Sequence, residues 1–197
     1  MSAQEPTNTL YPIFLKLEEM HVLLVGAGNV ALEKAQSLLS NSPKATITIV
    51  APFVRDELRE YVSGYGSCNI IERGFEEDDL YGKHLVVCAT DQPELHKRIK
   101  QLANNKNILV NVADTPSMCD FYLGSIVQKG NLKIAISTNG KSPTLAKRLR
   151  ELFQEVLPAE LESLMQNLNS ITKSIQGDFA EKVRVLNELT RKLTEKK

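Results

Sequence analysis

Gly26-Ala27-Gly28-Asn29-Val30-Ala31 reads G-x-G-x-x-A, a spacing suited to binding a dinucleotide diphosphate. A glycine at 26 permits a tight turn. A glycine at 28 lets the backbone approach a pyrophosphate, and the small Ala31 lets a following helix pack on its strand. The amides opening that helix then attract the anion. The motif gains weight from its place, between the apolar run HVLLV at 21–25 and the helical stretch VALEKAQSLL at 30–39. A glycine turn holding no ligand is the competing reading.

Dinucleotide folds usually carry an acid at the end of the second strand, for the adenosine ribose. Here that segment ends Ile49-Val50-Ala51-Pro52, and Asp56 and Glu57 come only within the next helical stretch. Arg55 either meets a 2′-phosphate or is simply solvated. Thr90 and Asp91, after the apolar run at 84–89, either touch the cofactor or cap the helix opening at Pro93. The three cysteines, Cys68, Cys88 and Cys119, form no CxxC pair, and the three histidines form no HExxH. No protein metal site is expected, and the cysteines are expected as small buried hydrophobes in a reducing cytoplasm.

These residues need a scaffold. Apolar runs at 21–25, 45–50, 68–72, 84–89 and 108–112 read as strands. Stretches at 30–39, 52–65 and 93–103 read as helices. Alternation in this order implies parallel pairing with right-handed crossovers. The pattern changes after Asp114. Phe121–Val127 and Leu132–Ser137 read as two strands of a hairpin turning at Lys129-Gly130-Asn131. Ser142 and Pro143 then open a helix running to about Val156, as N-cap and first residue. Pro158 starts another, and the rest to Lys197 reads as helical, with stripes Leu161, Leu164, Leu168, Ile171 and Val183, Leu186, Leu189, Leu193 suited to a core or dimer face. The expected class is α/β, with three parts: 1–115 a Rossmann domain, 116–157 a hairpin-plus-helix region for dimerisation and substrate, and 158–197 a helical region.

Composition narrows the function classes. The chain has 197 residues, with 24 Lys plus Arg against 24 Asp plus Glu, so the formal net charge is zero. General attraction to nucleic acid or to an anionic membrane is disfavoured. No apolar run approaches a membrane span. The N-terminal MSAQEPTNTLYP lacks the basic-then-apolar order of a secretory signal.

Taken together, the residues resemble the precorrin-2 dehydrogenase family, the dehydrogenase/ferrochelatase part of siroheme synthase. VLLVGAGNVALEKAQSLL is similar to the family's V-G-G-G-x-V-A-x-R-K opening, with Ala27 for the middle glycine, Glu33 for the arginine, and Lys34 kept. Val50-Ala51-Pro52, Ala89-Thr90-Asp91 and Asn111-Val112-Ala113-Asp114 match further segments, and Cys119-Asp120-Phe121 resembles the family's C-N-F. The most specific match is Ile134-Ala-Ile-Ser-Thr-Asn-Gly-Lys-Ser-Pro against I-A-I-S-T-G-G-x-S-P, where Asn139 replaces a glycine. The resemblance covers roughly residues 10 to 158.

The resemblance implies NAD-dependent oxidation of precorrin-2 to sirohydrochlorin, with Fe²⁺ insertion as a second activity in some members. It implies a homodimer, and it accounts for the missing acid after the second strand. A methyltransferase domain, carried by larger members, is not expected here. Asp114 takes the role of the family's catalytic aspartate. A carboxylate in low-polarity surroundings at a strand end suits a general base, whereas a turn-forming Asp before Thr115-Pro116 is the plainer alternative. Gly26, Ala27, Gly28, Asn29, Val30, Ala51, Pro52, Thr90, Asp91 and Asn111 are the expected cofactor contacts. Ser125, Ser137, Thr138, Asn139, Gly140, Lys141 and Ser142 are the expected contacts to a substrate rich in carboxylates, since the loop precedes a helix start. Lys147 and Arg148 are either further contacts or a solvated face.

Two other readings stand beside this one. A Rossmann-type NAD(H)-sensing module explains the glycine turn and the helical tail, but not Asn111 and Asp114 together with the 137–143 loop. A chelatase without dehydrogenation leaves the intact glycine turn unexplained.

Overall fold

The computed structural model describes residues 8–158, 161–175 and 178–191, and forms two compact units that divide between Leu123 and Gly124. The expected helical reading of residues 192–197 lies outside the described residues.

In the first unit, β1 (His21–Val25), β2 (Thr46–Val50), β3 (Cys68–Ile71), β4 (Leu85–Cys88) and β5 (Leu109–Val112) form one parallel sheet in the order β3-β2-β1-β4-β5. Their near-continuous apolar runs follow from burial on both faces. Along β1, Val22 and Leu24 point into the core beneath α1 (Asn29–Asn41) and α2 (Asp56–Ser63), whereas Leu23 and Val25 join the core beneath α3 (Pro93–Asn105). Each helix buries one stripe: Ala31, Ala35, Leu38 and Leu39 on α1, Leu58 and Val62 on α2, and His96, Ile99 and Ala103 on α3. Strand order reverses beside β1, with β2 on one side and β4 on the other, so the carboxyl ends of β1 and β4 form the switch point of a doubly wound sheet.

A short 3₁₀ turn, Glu77–Leu80, takes the place of a full helix between β3 and β4. It is fastened by Asp79, whose buried carboxylate accepts two hydrogen bonds from Arg73 at 2.7 and 2.8 Å and one from the Glu76 amide at 2.8 Å.

The chain departs from the expected strand at 121–127. Phe121 and Leu123 pack against the core of the first unit, and the Asp120 amide donates to the Val110 carbonyl at 2.8 Å. Pairing in the hairpin starts only at Ser125, because the residues before it are held by β5.

The second unit begins with that hairpin, β6 (Ser125–Lys129) paired antiparallel with β7 (Leu132–Ile136). Gly124 sits so close to β7 that a Cβ there would lie 2.7 Å from the Ile136 carbonyl oxygen. Next come α4 (Pro143–Val156), α5 (Leu161–Ser174) and α6 (Phe179–Thr190). The α4 helix packs on β6, and Ser142 caps it by accepting from the Leu145 amide at 3.2 Å. Glu162 of α5 grips the hairpin tip, accepting from the backbone and side-chain nitrogens of Asn131 at 2.7 Å each. The continuous helix expected after Pro158 is instead interrupted. The α5 helix ends at Ser174, and α6 opens at an Asp178 cap that accepts from the Glu181 amide at 2.9 Å. Helical periodicity runs through such a break unseen, whereas the capping Asp is its local signal.

Candidate functional site

The glycine turn stands at the switch point. Gly26 has φ +109°, and a Cβ on it would lie 2.7 Å from the Ala89 carbonyl carbon and 3.0 Å from the Thr90 methyl. Only glycine takes this backbone without displacing the end of β4. Gly28 differs: no heavy atom within 4 Å would meet a Cβ there. The protein's own packing therefore does not require glycine at 28, and the open space is what an approaching pyrophosphate needs. Gly28 is the N-cap of α1, with no side-chain cap and no acid in the first turn. Helix-start amides thus stay available to an anion. Ala27 and Ala31 are buried, Val30 is half-buried against the core, and Asn29 is exposed at the helix start. These residues fit a dinucleotide diphosphate.

Beyond β2, Ala51 is buried and Pro52 exposed. The chain returns at once to the glycine turn, where the Arg55 amide donates to the Ala27 carbonyl at 3.2 Å. The Arg55 guanidinium donates to Asn29 Oδ1 at 2.5 Å and forks onto Glu57 at 2.6 and 3.1 Å. That fork pulls the Glu57 carboxyl down to about 2. Arg55 is therefore neither a bare phosphate ligand nor a loose solvated charge.

At the end of β4, Thr90 is fixed from behind. Its hydroxyl lies 2.8 Å from Nε2 of the buried His96 and accepts the Gln92 amide at 3.2 Å. Burial lowers the His96 pKa, which favours a neutral ring. The hydroxyl is thus engaged within the unit, while the Thr90 methyl faces Gly26 and Asp91 is exposed. His96 positions this turn, a role that its place within a helix does not announce in the sequence.

At the end of β5, Asn111 is buried, and its side-chain nitrogen donates to the Phe121 carbonyl at 2.8 Å. The Cys119 thiol accepts the Val112 amide at 3.2 Å and faces the Val112 and Thr115 carbonyls at 3.2 and 3.4 Å. Together these clamp the turn that carries Asp114. Asp114 itself is exposed and adopts φ +57°. Left-handed backbone is uncommon outside glycine, although Asp and Asn tolerate it better than most residues.

In the second unit, Ser125 opens β6 opposite Ile136. The 137–142 loop is organised by its own side chains. Ser137 Oγ accepts the Asn139 amide at 3.1 Å, and Thr138 Oγ1 accepts the Ser142 amide at 3.2 Å. Asn139 and Gly140 have φ +54° and +73°. The departure from glycine at 139 therefore keeps the backbone, because Asn is a residue that populates this region. Lys141 and Lys147 are exposed, and Arg148 pairs with Glu151 across one helical turn at 2.7 Å. One residue was missed from sequence. Arg150 lies one turn beyond the buried Ala146, on the helix face that also carries half-buried Leu149 and Phe153, and its Nε is buried with no hydrogen-bond partner. A lone cation on an apolar helical stripe is the signal that could have found it.

Among the described residues, no group of three His, Cys, Asp or Glu side chains is placed to hold a metal ion, and no helix is long and apolar enough to cross a membrane. Cys68, Cys88 and Cys119 are free; Cys88 is buried, whereas Cys68 and Cys119 are only half-buried.

Comparison with known proteins adds a second line of observation. Residues 13–125 match the family described as "Putative NAD(P)-binding", and residues 129–155 match the sirohaem biosynthesis protein central family. A siroheme synthase of Pseudoalteromonas atlantica is 37% identical over 191 residues, covering 88% of this chain and 41% of that protein. Siroheme synthase 3 of Aeromonas hydrophila is 39% identical over 169 residues, covering 86% of this chain and 36% of that protein. The chain thus spans well under half the length of these relatives. A solved structure described as "SirC, precorrin-2 dehydrogenase" superposes with a TM-score of 0.70 at 26% identity, covering 94% of this chain and 93% of that one.

Proposed function

Because this chain belongs to the precorrin-2 dehydrogenase/sirohydrochlorin ferrochelatase family of siroheme biosynthesis, we propose that it oxidises precorrin-2 to sirohydrochlorin with NAD⁺ as the acceptor. The observation that carries the reading is Asp114: an exposed carboxylate in left-handed backbone, at the same edge of the sheet as the glycine turn. Strained backbone at a strand's carboxyl end, held by Asn111 and Cys119 bonds, is the kind of feature that persists at working sites.

The reaction removes two electrons and two protons from the substrate, one proton leaving with the electron pair as hydride. NAD⁺, when bound, accepts the hydride. The chain's residues do the rest. Gly26, Ala27, Gly28, Asn29 and Val30 hold the diphosphate against the start of α1. Ala51 and Pro52 lie at the adenosine end, and Thr90, Asp91 and Asn111 shape the strand ends where the nicotinamide meets substrate. Asp114 accepts the remaining proton. For a substrate with many carboxylates, Ser125 and the Ser137, Thr138, Asn139, Gly140, Lys141 and Ser142 loop supply donors and a helix start.

In a second step, Asp114 would take up protons displaced from pyrrole nitrogens as substrate Fe²⁺ enters the macrocycle. Homodimerisation is supported by the exposed Leu145, Leu152 and Val156 along α4. A reducing cytoplasm suits three free cysteines.

The test is anaerobic incubation of the purified protein with precorrin-2 and NAD⁺ in the absence of metal. One NADH per sirohydrochlorin is expected. Adding Fe²⁺ or Co²⁺ afterwards is expected to change the spectrum faster than in an enzyme-free control. No NADH from authentic substrate would refute the dehydrogenase and favour a nucleotide-sensing role.

A further inference from the structure

The adenosine ribose of a dinucleotide has no acid to meet at the end of β2, where a doubly wound fold commonly provides one. The strand finishes at Val50, followed by the buried Ala51 and then Pro52. The structure places a carboxylate nearby from a different element. The Arg55 amide bonds the Ala27 carbonyl, so the first turn of α2 is tied directly to the glycine turn. Glu57 lies in that first turn, on the guanidinium that also reaches Asn29 at the start of α1.

We propose that Glu57, oriented by Arg55, replaces the missing β2 acid as the acceptor for the adenosine ribose hydroxyls, and that the pair selects the dinucleotide lacking a 2′-phosphate. The inference rests on the reading that a nicotinamide dinucleotide occupies the glycine turn. It goes further by naming what decides between the two dinucleotides.

Three features carry it. First, the guanidinium is engaged on each side: Nε and Nη2 by Glu57, and Nη1 by Asn29. A 2′-phosphate arriving here would have to displace a protein acceptor to gain an arginine contact. Second, the pair carries no net charge, and its anionic member is the more open one, with the Glu57 side chain 57% exposed against 37% for Arg55. A ribose hydroxyl donates to such a carboxylate, whereas a phosphate is repelled by it. Third, the fork keeps Glu57 ionised throughout the physiological range. As a surface ion pair it adds little to stability, so it can be changed without unfolding the protein. Arg55 alone would point to the opposite preference, because an arginine near this position commonly receives the 2′-phosphate. Glu57 reverses that sign.

The experiment is equilibrium binding of NADH and NADPH to the full chain, followed by nicotinamide fluorescence, with no turnover involved. Wild type is expected to bind NADH at least about ten-fold more tightly, the scale of one charge-assisted hydrogen bond gained or one like-charge contact avoided. Glu57→Gln is expected to weaken NADH several-fold and to tighten NADPH about ten-fold, since Arg55 is then free to turn to the phosphate. The double variant Glu57→Gln with Arg55→Gln is expected to lose the NADPH gain. Circular dichroism melts confirm that each variant is folded. An NADH-to-NADPH ratio unchanged in Glu57→Gln, or a wild type that favours NADPH, overturns this inference while leaving dinucleotide binding intact. A wild type that binds neither dinucleotide overturns the functional reading together with it.

Discussion

Asp114 combines two properties that a substitution must separate: a carboxylate and a left-handed backbone at φ +57°. Alanine removes both at once. Strain at such a position costs on the order of 1 kcal/mol for a residue unsuited to it. Asparagine keeps the backbone and removes only the charge. Asp114→Asn is therefore expected to melt within a degree or two of wild type, whereas Asp114→Ala melts lower, as checked by calorimetry. Both are expected to lose at least about 100-fold in dehydrogenation, the usual contribution of a positioned general base. The two glycines of the turn separate in the same way. Gly26→Ala drives a Cβ into the Ala89 carbonyl at a positive φ, and a marked loss of stability is expected in urea. Gly28→Ala meets empty space within the protein. Its stability is expected to hold while NADH affinity, read by fluorescence titration, falls about ten-fold or more. At this scale the G-x-G-x-x-A spacing was legible because its chemistry is local. Glu57 was not, since its orientation depends on Arg55 and on the tie to Ala27, neither of which spacing reveals. The left-handed conformation of Asp114 was likewise hidden, because a turn-forming and a catalytic aspartate present the same letter.

At the scale of elements, the 3₁₀ turn between β3 and β4 depends on a buried charge. Burial on its own would raise the Asp79 carboxyl, but the fork from Arg73 and the Glu76 amide outweigh it and hold the pKa below the ordinary range. A carboxyl lowered in the fold contributes stability that is present above its unfolded pKa and is lost as pH falls through the folded one. Urea midpoints are therefore expected to hold from neutrality to about pH 5 and to drop in more acid solution. Asp79→Asn should be less stable at neutral pH, with a shallower acid dependence. The strands and helices of the sheet were readable from apolar runs and helical spacing, since burial on two faces leaves a clear imprint. Phe121–Val127 was misread because Phe121 and Leu123 have strand-like composition, yet the Asn111 side chain and the Val110 carbonyl hold that segment on the first unit. The break before Asp178 escaped for the converse reason: leucine spacing continues on either side of it.

For the whole molecule, the second unit leaves apolar surface uncovered. Leu145, Leu152 and Val156 on α4 are each at least half exposed, and no residue of α5 or α6 is fully buried. A second copy of the chain is the expected cover. Sedimentation should give a dimer at micromolar concentration, and Leu152→Glu with Val156→Glu should shift it towards monomer; a wild-type monomer would contradict the assembly. The family matches at residues 13–125 and 129–155 fall on both units, and the segments that carry the resemblance were legible because they stand in order along the chain. The exposure of Asp114 at the end of β5 was not legible, because spacing does not reveal what stands over a strand end.

The most direct measurement is NADH formation in a single anaerobic turnover of precorrin-2, comparing wild type with Asp114→Asn at equal NAD⁺ occupancy. The expected result is stoichiometric NADH and sirohydrochlorin from wild type, with a rate at least about 100-fold lower in the folded, cofactor-binding variant. Equal rates in the two proteins would remove Asp114 from the reaction and contradict the account at its centre.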